Sequence, residues 1–242
     1  LHSAGRLENG VSVDIDKRRI YIDLEENRVY SVNNQYAGNS LGLKKLAFRL
    51  AIKKANEEGW LAEHMFIMGV HGPNGRITYF TGAYPSACGK TSTAMIPGQT
   101  VVGDDIAYLK KINGVIRVVN METGIFGIIH SVNSENDPVI YQALTTPGEV
   151  IFSNVLIREG VPYWKGMKKD IPDKGVNFSG EWFKGKKDCQ GKEIPCSHKN
   201  ARYTLKLNEL NNIDSKANDP GGVLVKAIFY GGRDSDTTIP IV

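Results

Sequence analysis

The chain has 242 residues, 41% of them hydrophobic, and a formal net charge of +4. That is enough apolar material for one large domain or two small ones, and too much for disorder to be the default. The basic residues are spread out apart from clusters at 165–169 and 184–187, which read as solvated faces rather than a nucleic-acid patch, and no apolar run approaches the roughly 20 residues that cross a bilayer. Three scattered cysteines, Cys88, Cys189 and Cys196, exclude a disulfide framework and favour a reducing, cytosolic setting.

The N-terminal Leu1-His-Ser-Ala-Gly5 carries neither an initiator methionine nor a signal-peptide pattern and reads as an internal cut in a longer chain. Residues 11–31 alternate apolar and charged positions around a turn at Glu25-Glu-Asn27, which predicts half-buried antiparallel strands. A glycine-containing loop, 35–40, places Ser40 to cap a helix. The stripe Leu43, Leu46, Ala47, Leu50, Ala51 has helical spacing and continues to Gly59. Met65 to Val70 reads as a buried strand, His71 to Gly75 as a turn, and Arg76 to Phe80 as a strand pairing back. A short helix from about Lys90 must end before Pro97, and Thr100 to Gly103 is another strand. Ile106–Leu109 and Val115–Val119 flank Asn113-Gly114, the strongest short hairpin signal. Residues 120–222 read as an irregular β-rich insertion with strands at Val150–Ile157 and Arg202–Leu207. Val223 to Tyr230 is a central-strand candidate that delivers Arg233 to a strand end, where ligands of open α/β sheets gather.

Between the strand ending at Phe80 and the helix at Lys90 lies a small-residue turn closing on Gly89-Lys90-Thr91, a phosphate-binding loop in outline. A Walker pattern would place its first glycine at position 84, where this chain has Tyr84. Lys90 can reach terminal phosphate oxygens and the Thr91 hydroxyl can ligate Mg²⁺. Asp104 and Asp105 follow Val101-Val102 as a Walker-B acid would. Adjacent residues of a strand point to opposite faces, so one carboxylate can meet a metal and the other the nucleotide's cation. Cys88, beside Lys90 at a helix start, is in a setting that favours a reactive thiol, with structural filler as the equal alternative. His64, just before a buried strand, reads by itself as a core histidine. Cys189, Cys196 and His198 fit no standard zinc spacing.

Pro85-Ser-Ala-Cys-Gly-Lys-Thr91, Val102-Gly-Asp-Asp-Ile-Ala107, Tyr36-Ala-Gly-Asn-Ser-Leu41, Glu57-Glu-Gly-Trp-Leu-Ala-Glu-His-Met65 and Phe229-Tyr-Gly-Gly-Arg233 together resemble the GTP-dependent phosphoenolpyruvate carboxykinase family, from Leu1 to about Arg233. The resemblance implies a lyase that converts oxaloacetate and GTP to phosphoenolpyruvate, GDP and CO₂, with Mn²⁺ at the reacting centre and Mg²⁺ on the nucleotide. A generic P-loop kinase or NTPase and a non-catalytic nucleotide-binding module are the alternatives. By resemblance the manganese ligands fall on Lys44, with Lys45 fitting nearly as well, and on His64 and Asp105. Ala87, Cys88, Gly89, Lys90, Thr91, Ser92, Asp104 and Arg233 hold the nucleotide. Tyr36, Ser86, Asn200 and Arg202 hold the substrate, and Lys44, Cys88, Lys90 and Arg202 form the catalytic set.

The resemblance also implies an α/β fold: a phosphate-loop nucleotide domain with a mixed sheet, the tail of an N-terminal α/β domain and an inserted β-rich substrate lobe. The expected division is 1–59, 60–119, 120–222 and 223–242, the last segment returning to the nucleotide domain. Two departures stand out: Ser92 where the family usually has asparagine, and Ile128-Ile-His-Ser-Val132 where it has a Pro-Gly-Thr turn. The family's further substrate arginine, guanine-stacking aromatics and lid fall outside the chain.

Overall fold

The computed structural model describes residues 1–8, 11–34, 41–85 and 88–232. Two compact units emerge, one formed by residues 1–63 with 108–111 and the other by 64–107 with 112–242.

In the first unit, β1 (His2–Ser3) pairs in parallel with β5 (Arg28–Val32), β2 (Leu7–Glu8) pairs with β3 (Val11–Ser12), and β4 (Arg19–Asp23) runs antiparallel to β5. The β4–β5 turn is local chemistry: Asp23 Oδ1 accepts the N–H groups of Glu25 and Glu26 at 3.0 and 2.9 Å, and Asn27 takes a φ of 53°. A π-helix, Leu41–Leu46, leads into α1 (Ala47–Glu58), whose buried face carries Leu50 and Ala55. The expected stop at Gly59 is a left-handed cap, φ 71°, with its N–H on Ala55 O. β6 (Leu61–Glu63) adds a short strand ahead of the buried run that begins at Met65.

In the second unit, β7 (Phe66–His71), β8 (Ile77–Ala83), α2 (Lys90–Ala94), β9 (Thr100–Gly103), β10 (Ala107–Ile112) and β11 (Val115–Asn120) follow, with Tyr108–Lys111 of β10 belonging to the first unit. Asn113 and Gly114 both take positive φ, 51° and 82°, as a two-residue primed turn demands. Then come β12 (Gly124–Ile128), α3 (Pro138–Thr145), β13 (Val150–Ser153), β14 (Leu156–Arg158), β15 (Val161–Tyr163), β16 (Lys174–Asn177), β17 (Gly180–Phe183), β18 (Arg202–Lys206) and β19 (Val223–Tyr230). β19 lies between β11 and β8 in the order β11-β19-β8-β7-β9, the central place expected of it. The mixed α/β architecture agrees with the sequence reading.

Two corrections concern residues 120–222. The region holds a helix, α3, opened by Asp137-Pro138 with proline in its first turn and burying Val139, Ile140, Tyr141 and Leu144. The expected strand Val150–Ile157 is two strands, because Asn154 at φ 62° breaks it. This region also shares one hydrophobic core with the loop-bearing sheet: Trp164, Ile125, Ile129 and Leu205 cluster with Phe66, Met68, Ala94 and Val101.

Candidate active site

Strand direction decides which residues meet. β8 is parallel to β19 and antiparallel to β7, and β7 is antiparallel to β9. The C-terminal ends of β8, β9 and β19 therefore share one end of the sheet with the N-terminal end of β7. Ala83 opens into the loop there, Gly103 into Asp104-Asp105, and His64 stands just before β7. Such an end of an open sheet is where ligands bind.

Tyr84, the residue in place of the expected glycine, has a packing role: its ring meets Phe66 edge-on at 5.6 Å. It also covers Gly231, where an added Cβ would come within 2.6 Å of the tyrosine ring and where the N–H bonds Ala83 O at 2.9 Å. The loop is thus tied to the ends of β8 and β19. Cys88 N–H closes a turn on Pro85 O at 3.1 Å, and Gly89 at φ 83° starts α2.

From that start Lys90, with 12% of its side chain exposed, places Nζ 2.5 Å from Asp105 Oδ1 and 3.8 Å from Asp104 Oδ2, and it donates to Asp104 O. Thr91 Oγ1 donates to Asp104 Oδ2 at 3.2 Å. His64 Nε2 lies 2.5 Å from the same Asp105 oxygen that meets Lys90. His64 is not the core residue its position suggested, since 52% of its side chain is exposed while Asp105 is 7% exposed. Asp104 Oδ1 is buried without a hydrogen-bond partner. Buried carboxylate oxygens facing an imidazole nitrogen form a donor set suited to a hard divalent cation. Among the described residues no three His, Cys, Asp or Glu side chains gather as a metal cage. Of the expected manganese ligands, His64 and Asp105 lie in this unit and touch each other. Lys44 and Lys45 lie on the π-helix of the first unit.

The expected opposite-face placement of Asp104 and Asp105 is corrected. β9 ends at Gly103 and both acids occupy a bend, so strand alternation does not apply and both face Lys90. Glu122 holds the bend, its Oε2 accepting the Asp105 and Ile106 N–H groups at 2.9 and 3.2 Å. Asn120 fixes Glu122 in turn by accepting its N–H at 3.0 Å and donating to its carbonyl at 2.7 Å. Neither residue was singled out in the sequence. Their only signal was the Asn-x-Glu spacing two strands beyond the acids.

Arg202, at the start of β18, lies beside the buried Tyr203, whose hydroxyl is pushed up by burial, with the charges of Asp104 and Asp137 adding. The Arg202 guanidinium stacks over Phe126 at 5.2 Å, and burial holds its pKa below the ordinary value. Its Nε donates to Asn200 Oδ1 at 2.9 Å. No carboxylate among the described residues forms an ion pair with it, leaving the terminal fork for an anion. Ser92, the departure from the family pattern, donates to Asp137 Oδ1 at 3.1 Å and ties α2 to the start of α3. Tyr36, Ser86, Ala87 and Arg233 lie outside the described residues. None of Cys88, Cys189 and Cys196 forms a disulfide.

Residues 60–242 match the family model of the phosphoenolpyruvate carboxykinase C-terminal P-loop domain, and residues 1–56 match that of the phosphoenolpyruvate carboxykinase N-terminal domain. The chain is similar to the phosphoenolpyruvate carboxykinase (GTP) of Thermococcus kodakarensis, 60% identical over 243 residues, covering 100% of this chain and 39% of the relative. It is also similar to the proteins of that name from Pyrococcus horikoshii, 59% identical with the same coverage, and Corynebacterium efficiens, 38% identical over 100% of this chain and 41% of the relative. The chain spans about two-fifths of the length of these curated relatives.

Proposed function

The chain belongs to the phosphoenolpyruvate carboxykinase family, and from that premise we propose that it carries the metal and phosphate centre of an enzyme converting oxaloacetate and GTP to phosphoenolpyruvate, GDP and CO₂. The observation that carries the proposal is the shared Asp105 oxygen, 2.5 Å from both the loop lysine and His64. A generic nucleotide-binding loop has no use for that histidine.

In this reading Thr91 and Asp104 hold the nucleotide's Mg²⁺, and His64 and Asp105 hold Mn²⁺, with the remaining ligand on Lys44 by resemblance alone. The divalent ion, when bound, supplies Lewis-acid stabilisation of the negative charge left when CO₂ departs. Lys90 neutralises charge on the phosphoryl group in flight, and an arriving phosphate competes with Asp104 and Asp105 for its ammonium. Arg202 and Asn200 orient the substrate carboxylate, joined by Tyr36 and Ser86, while Arg233 serves the phosphates. Cys88, beside Lys90 in the phosphate loop, joins Lys44, Lys90 and Arg202 in the catalytic set by resemblance. The region 120–222 acts as the substrate lobe. A cytosolic setting is supported by three cysteines that form no disulfide, and no helix among the described residues is long and apolar enough to cross a membrane.

Two measurements test the proposal. The intact protein consumes GTP in a manner that depends on oxaloacetate; binding of GTP without such turnover would leave a non-catalytic module. In His64→Ala, the EPR signal of bound Mn²⁺ weakens, and unchanged metal binding would remove His64 from the site.

A further inference from the structure

The imidazole of His198 has no part in the metal or phosphate centre, yet its surroundings are closely specified. The backbone N–H of His198 donates to Asn154 O at 3.0 Å and its backbone carbonyl accepts the Ala201 N–H at 2.9 Å. The segment leading to it is pinned: Asn177 Nδ2 donates to Pro195 O and Cys196 O at 3.1 Å each, and Ser197 Oγ accepts the Lys165 N–H at 2.9 Å. Phe178 meets the ring at 5.1 Å and 74°. Within this frame Nδ1 lies 3.0 Å from the backbone nitrogen of Asn200, close enough to accept its N–H. A backbone N–H is always a donor, so Nδ1 must be unprotonated and the ring proton sits on Nε2.

The next link reaches the substrate arginine. With the Asn200 amide held by the imidazole, the Asn200 side chain turns its Oδ1 to Arg202 Nε at 2.9 Å. One face of the guanidinium rests on Phe126. Nε is held by Asn200 and the plane by Phe126, so the two terminal nitrogens present a fork in a fixed direction, the geometry that grips a carboxylate through two parallel bonds. We propose that His198 is a positioning residue for the substrate carboxylate, acting through the Asn200 backbone to aim Arg202. This rests on the reading of Arg202 as a substrate ligand.

The test compares variants of the intact protein in steady-state kinetics. His198→Phe keeps an aromatic ring against Phe178 and removes the acceptor; His198→Asn restores an acceptor oxygen near the Nδ1 position. The expected result is an oxaloacetate KM raised roughly 3- to 10-fold in His198→Phe, an unchanged KM for GTP, and near wild-type values in His198→Asn. Equal losses in both variants, or KM values for both substrates moving together, overturn the inference in favour of a merely structural role. Arg202→Ala separates the two layers. If it leaves the oxaloacetate KM unchanged, the substrate reading of Arg202 fails and this inference with it. If it raises that KM while His198→Phe does not, only this inference fails. Should His198→Phe not fold, a crystal structure of the intact wild-type protein with a bound dicarboxylate decides. Both terminal nitrogens of Arg202 must then be on the carboxylate with Nδ1 of His198 on the Asn200 amide, and an imidazole turned away from that amide overturns the inference.

Discussion

Asp105 can face His64 and Lys90 together only because its backbone is held in a bend, and Glu122 supplies that hold through two N–H acceptances. Groups that orient a ligand residue commonly carry roughly 10- to 100-fold of metal affinity. Glu122→Ala is therefore expected to weaken Mn²⁺ binding by that order in an EPR titration, with Glu122→Gln keeping an acceptor and most of the affinity. An unmoved dissociation constant in the alanine variant refutes this role. Tyr79 gives a pH signature at the other end of the sheet. Burial, with the Asp214 charge and hydrogen bond adding, raises its hydroxyl from 10.0 to about 12. Between those values the unfolded chain has released the proton and the folded one retains it, so this contribution to stability is complete below about 10 and is lost as pH rises to about 12. The urea midpoint is expected to fall across that window, and Tyr79→Phe to fall less; identical profiles would contradict the assignment.

At the scale of elements, the β7–β8 pair delivers both the loop and His64, and one glycine leaves the room its packing needs. Gly82 stands opposite Phe66, where an added Cβ would come within 2.4 Å of the ring. The same ring braces Tyr84. Gly82→Ala is expected to cost about 1–3 kcal/mol by overpacking, measured by urea denaturation, and to raise the KM for GTP because the loop anchor shifts. Wild-type stability in this variant would mean that Phe66 moves aside freely. Buried β7, the paired-back β8 and the stop of α1 at Gly59 were all legible, because apolar runs, turn residues and a left-handed glycine act within a few positions. Helix α3 was not, although Asp137-Pro138 marks its start. Its surroundings of glycine, asparagine and lysine set the regional reading, while the apolar face of α3 is specified by a core assembled from distant strands.

At the scale of the molecule, the loop-bearing sheet and residues 120–222 belong to one compact unit with a common core around Trp164, which is fully buried and donates Nε1–H to Val132 O at 2.8 Å. Trp164→Ala is expected to cost about 3–5 kcal/mol. In the wild-type protein the loss of buried tryptophan fluorescence and the loss of Mn²⁺ binding are expected to coincide along one urea curve; two separated transitions would divide the unit. The amino-acid sequence by itself determined the strand and loop order from Met65 to Val119, the Gly89-Lys90-Thr91 element, the Asp104-Asp105 pair and, through several spaced motifs, the family. Local preference and short-range spacing carry that information. Only the tertiary structure decided that His64 and Lys90 share one oxygen of Asp105, that Glu122 holds the bend and that His198 stands behind Arg202. Those contacts join residues through strand direction and register, and strand pairing is set by the packed whole rather than by any one stretch of chain.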